Sequence, residues 1–66
     1  MIILGEERLF ELELEGLSMR LKGEVIRFVE RIEDDENVYE VLFKERNNAK
    51  LKLKSSYIMA ISRGVL

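Results

Sequence analysis

From Phe10 to Glu15 the chain reads Phe, Glu, Leu, Glu, Leu, Glu. No other feature constrains the fold as much. Strict alternation puts Phe10, Leu12 and Leu14 on one side of an extended backbone and Glu11, Glu13 and Glu15 on the other. That is a half-buried strand. Further on, Lys50-Leu51-Lys52-Leu53-Lys54 repeats the pattern with the opposite charge. Between them, Leu21, Gly23 and Val25 alternate with Arg20, Lys22 and Glu24, and Tyr39, Val41 and Phe43 share a face within Val38 to Glu45.

These runs suggest two hairpins. A loop over Gly16-Leu17-Ser18-Met19 sets Glu15 against Arg20 and Glu13 against Lys22, with Leu14 against Leu21 and Phe10 against Val25. Packing and charge are then satisfied in one register. Arg46-Asn47-Asn48 reads as a second turn, because Asn tolerates the left-handed conformation. It pairs Phe43 with Leu51, Val41 with Leu53 and Glu40 with Lys54, but leaves Lys44 opposite Lys50. Ile26 and Phe28 fall on the wrong parity for Leu21 and Val25, so a β-bulge is expected between Gly23 and Ile26. Glu33 to Asn37 reads as a solvated turn; it lacks the ligand spacing and the Gly of a calcium loop.

Ser55-Ser56 breaks the alternation, Tyr57 to Ser62 reads as a short last strand, and Arg63 to Leu66 as a tail. The expectation is an all-β fold, one domain over residues 1–66: a small, five-stranded, bent antiparallel barrel. Its core would hold Leu12, Leu14, Leu21, Val25, Val41, Phe43, Leu51 and Leu53. The alternative is three or four strands plus a C-terminal helix over Ala49 to Ser62, capped by Asn47 or Asn48, with Leu53, Tyr57 and Ile61 as its stripe and Gly64 as its C-terminal cap.

Composition narrows function mainly by exclusion. There is no Cys, hence no disulfide framework or thiolate chemistry, and no His, the usual general base and metal ligand. No Gly-rich phosphate loop appears, and the serines have no His to activate them. The expectation is a protein that is not an enzyme and uses no cofactor or metal. The longest uncharged stretch, Ser55 to Ser62, is far too short for a bilayer span. The start shows no signal peptide, which points to the cytoplasm. Eleven of thirteen acids are Glu, and Gln and Cys are absent, a composition matching that of hyperthermophile proteins. A net charge of −2 argues against strong nonspecific nucleic-acid binding. Even so, Lys50, Lys52 and Lys54 on one strand face, with Tyr57 as a stacking surface, are the candidate RNA contacts. The competing reading is that these lysines solubilise an exposed edge.

Glu15-Gly16, Lys22-Gly23-Glu24-Val25 and Phe28 are similar to the first motif of the Sm family. Leu53-Lys54-Ser55-Ser56-Tyr57-Ile58-Met59-Ala60-Ile61 resembles its second. The resemblance spans roughly residues 10–62 and extends to the small barrels that inhibit the transcription terminator Rho. It implies a barrel that binds RNA or a protein partner. Val29 stands where the family places its base-holding Asp, Lys54-Ser55 replaces Arg-Gly, and Tyr57 replaces Asn. Glu11 to Glu45 also resembles the closing strands of PilZ domains, without the motifs that bind cyclic diguanylate. The resulting expectation is a non-catalytic Sm-like binding or assembly module. RNA is the first-choice ligand; the alternatives are a Rho-inhibitor-like protein adaptor and a PilZ-like domain that does not bind the nucleotide. A homo-oligomer is expected as well. The uncharged last strand would expose Tyr57, Ile58, Met59 and Ile61 as an edge for another copy.

Overall fold

Two-residue turns decide how the first three strands meet. The computed structural model describes residues 2–61, with Leu14 and Ile61 described in backbone only. Strand β1 (Glu7–Leu14) turns through Glu15 and Gly16 into β2 (Leu17–Glu33). Both turn residues have positive φ, +52° and +80°, the signature of the turn whose twist suits a hairpin. Strand β2 turns through Asp34-Asp35 into β3 (Glu36–Phe43). A 3₁₀ turn at Lys44–Arg46, with Asn47 and Asn48 left-handed, leads to β4 (Ala49–Lys54). The chain then enters helix α1 (Ser55–Ile61).

The sheet is open and antiparallel, in the order β1-β2-β3-β4. The closed five-stranded barrel is therefore corrected to four strands plus a short C-terminal helix, the alternative architecture. Residues 57–61 of the expected last strand are helical, and of the alternative helix over 49–62 residues 49–54 are strand and 55–61 helix, while Ser62 and the tail lie outside the described residues. Ser55 and Ile58, one helical turn apart, are both buried. A helix satisfies its own backbone groups, whereas a strand here would need a neighbour. Seven residues are too few for a helix to stand alone, so packing must hold it.

Both expected registers slip, and both by an even number of residues. Phe10 pairs with Leu21, Glu11 with Arg20 and Leu12 with Met19. Tyr39 pairs with Leu53, Val41 with Leu51 and Phe43 with Ala49. An even slip keeps every side chain on its face. The second slip also removes the Lys44–Lys50 clash: Lys50 faces Leu42, and Lys44 pairs with Glu24 at 3.7 Å. The bulge in β2 falls between Val25 and Arg27, with further shifts beyond Phe28 and Arg31. At the bulge, Gly5 donates to the Val25 carbonyl and the Val25 N–H donates to the Glu6 carbonyl.

The core lies on the inner face: Phe10, Leu12, Leu21, Val25, Val41, Phe43 and Ile58. Of the expected set, Leu53 is half-buried and Leu51 is 37% exposed; the Leu14 side chain lies outside the described residues. Phe10 and Phe43 meet edge to face, 5.5 Å apart. They cross β2 at Gly23, where a Cβ would sit 2.7 Å from both Phe43 Cε1 and Val41 Cγ1. Gly23→Ala is therefore expected to lower stability by about 1–3 kcal/mol, read as a lower urea midpoint. An unchanged midpoint would mean that the rings can move aside. Glu15 sits where Asn is at home, so Glu15→Asn should raise stability by roughly 0.5–1 kcal/mol in the same assay.

Candidate functional site

Among the described residues the inner face is covered at one end and open at the other. At the covered end α1 inserts Ile58, which is fully buried. The contact is fixed from β3. The Glu36 carboxylate accepts the Ser56 N–H at 2.9 Å and the Ser55 hydroxyl at 3.2 Å. The same Ser55 hydroxyl oxygen accepts the Asn37 N–H at 3.0 Å. The Ser56 amide, foremost among these contacts, holds the Glu36 carboxyl below its ordinary range.

At the other end the core surface is open. Leu12 of β1, Leu21 of β2, Phe43 of β3, and Ala49 and Leu51 of β4 line a groove of about 430 Å³. Glu45, Arg46 and Asn47 form its polar rim. The groove therefore runs between the two edge strands of the sheet. Sequence reasoning assigned Leu12, Leu21, Phe43 and Leu51 to the core. It had no signal for the groove, because alternation reports which face a residue takes and not what covers that face.

Charge is ordered on the outer face. Glu11 of β1 pairs with Arg20 of β2 at 3.5 Å. Glu40 of β3 pairs with Arg27 of β2 at 2.8 Å and stands opposite Lys52 of β4. Lys50, Lys52 and Lys54 are all exposed along β4. A second hollow, about 220 Å³, is lined by Glu7, Lys22, Glu24, Leu42, Lys44 and Glu45. Its mixed signs favour neither anions nor cations.

The expected RNA contacts are only partly brought together. The three lysines form a row on the outer face. Tyr57, 38% exposed, belongs to α1, which packs on the inner face through Ile58. The expected oligomer edge is also redrawn. Tyr57, Ile58, Met59 and Ile61 are helical, and Ile58 is in the core rather than on an edge; the side chain of Ile61 lies outside the described residues. The edges of the sheet are β1 and β4. Among the described residues no cluster of three or more metal-ligating side chains occurs, and no helix is long and apolar enough to cross a membrane.

A depressed carboxylate has a direct consequence for pH dependence. Because its folded pKa lies below its unfolded value, Glu36 stabilises the docked helix above the ordinary carboxylate range. That contribution is lost as pH falls through the lowered value. Acid titration followed at the Ile58 methyls should show α1 loosening, and in Glu36→Gln the acid step should vanish. An identical step in the variant would assign it elsewhere, Glu6 being another carboxyl held low, chiefly by the Ile3 amide.

Comparison with known protein families, with curated proteins and with solved structures finds no match for this chain.

Proposed function

We propose that this chain is a non-catalytic binding and assembly module that works by accepting an extended protein strand at the open end of its sheet. One observation carries the reading. The apolar groove of Leu12, Leu21, Phe43, Ala49 and Leu51 opens beside β4, which among the described residues has no neighbour on its outer side. An added strand gains backbone hydrogen bonds from the edge and places alternate side chains in the groove. The lysine row selects its chemistry: acidic residues on one face of the incoming strand and apolar residues on the other.

RNA is the second reading, favoured by the exposed row of Lys50, Lys52 and Lys54. It ranks lower because Tyr57 lies on an element packed against the opposite face and the net charge is −2.

NMR titration separates the two. A peptide of alternating Glu and Leu should shift the amides of Ala49–Lys54 together with the methyls of Leu12, Leu21 and Leu51. A single-stranded oligoribonucleotide should shift little, and less as salt rises. A monomeric protein whose β4 ignores the peptide would overturn the strand-docking reading. Tight, steeply salt-dependent RNA binding through the lysine row would install the second.

A further inference from the structure

The two edges of the sheet are complementary to each other. On β1, Phe10 and Leu12 face inward while Glu11 and Glu13 are exposed on the outer face. On β4, Leu51 and Leu53 face inward while Lys50, Lys52 and Lys54 are exposed on the outer face. Among the described residues neither strand has a neighbour beyond it. Within its own sheet Glu13 faces Ser18, Lys50 faces Leu42 and Lys54 faces Val38. None of the three has an opposite charge across its ladder.

The geometry points to a second copy of this chain as the occupant of the β4 edge, docking through its own β1 in a head-to-tail contact. The inference rests on the strand-docking reading and names its partner. An antiparallel β1 added to β4 extends the up-and-down order of the sheet. Both strands alternate with the same period, so one register places Glu against Lys outside and Leu against Leu inside. Symmetric pairings are disfavoured by the same charges. A β4–β4 contact sets lysine against lysine, and a β1–β1 contact sets glutamate against glutamate. The association is therefore heterologous, using a different surface on each partner, and it propagates until a ring closes or a filament forms.

Sedimentation at low salt tests this with the full chain and two charge-reversed variants. Glu13→Lys makes β1 less acidic, and Lys50→Glu with Lys54→Glu makes β4 acidic. Glu13 and Lys50 face Ser18 and Leu42 in their own sheet, and Lys54 faces Val38 while also attracting Glu36, so the Ile58 methyl resonances check that α1 stays docked in the β4 variant. Circular dichroism confirms that each variant is folded. The parent should sediment as multiples of 7.8 kDa, and each variant alone should lose association. An equimolar mixture of the two should regain it, because the acidic β4 of one then meets the basic position on β1 of the other. A parent at 7.8 kDa throughout the micromolar range overturns the proposal, and so do variants that associate like the parent or a mixture that fails to recover. A monomeric parent that still binds the Glu-Leu peptide overturns self-association alone. A monomeric parent that ignores the peptide removes the strand-docking reading as well.

Discussion

The close approach at Gly23 governs the rest of the molecule. Phe10 from β1 and Phe43 from β3 touch across β2 only because β2 has no side chain there. The nearest atoms, of Phe43, Val41 and Phe10, lie 2.7 to 3.0 Å from where a Cβ would stand. A flat sheet of four strands would leave its inner face wet, since side chains on strands two apart do not reach each other. Coiling the sheet about Gly23 folds the inner face on itself. The bulge just beyond, between Val25 and Arg27, continues the bend and re-aims Phe28, which meets Tyr39 edge to face at 5.8 Å.

Coiling alone does not enclose the core. Four strands do not wrap round two phenylalanines, and β1 and β4 stay apart. Helix α1 fills part of the gap by inserting Ile58. It can do so because Glu36 and Asn37, at the start of β3, engage Ser55 and Ser56 as the chain leaves β4. A partly buried polar contact thus positions an apolar plug. The stability of the helix comes from Ile58; its placement comes from Glu36. The groove at the other end is what one short helix leaves uncovered.

Much of this was legible in the residues, and the remainder was not for identifiable reasons. Alternation from Phe10 to Glu15 and from Lys50 to Lys54 fixes faces, and faces survive an even slip in register. Register depends on turn conformation. A Glu at φ +52° is an unfavourable occupant of that region, so Glu15-Gly16 did not announce a two-residue turn. Val25 and Ile26 broke parity, and the bulge was found within a residue or two of the break. The helix was ambiguous because Ser55 to Ile61 carries no charge to mark an outer face. The residue that fixes it, Glu36, is nineteen positions from Ser55. At the site, the lysine row was visible because exposure follows from alternation on a half-buried strand. The groove was not, because Leu51 and Leu12 carry the same pattern while one is 37% exposed and the other 6%. Proximity in sequence groups Tyr57 with the lysines, and the turn from β4 into α1 separates them.

The outer-face charges have a role beyond solubility. Glu11 and Glu13 mark β1, Arg20 and Lys22 the adjoining half of β2, Glu40 the centre of β3, and Lys50 to Lys54 all of β4. Neighbouring strands therefore meet with opposite sign at Glu11–Arg20, Arg27–Glu40 and Glu40–Lys52, whereas Glu7 stands opposite Glu24. Placing β1 beside β3, or β2 beside β4, would bring like charges together. Each exposed pair contributes only about 0.2–1 kcal/mol, far less than burying Phe10, Phe43 or Ile58, so charge does not hold the domain folded. Strand order is set first by Gly23, since only β2 between β1 and β3 lets Phe10 and Phe43 meet, and the weak pairs of opposite sign favour that same order. The same alternation leaves the sheet with one acidic edge and one basic edge. Two lysine edges would have blunted aggregation equally well; here the two edges are instead complementary in charge, Glu11 and Glu13 on β1 against Lys50, Lys52 and Lys54 on β4.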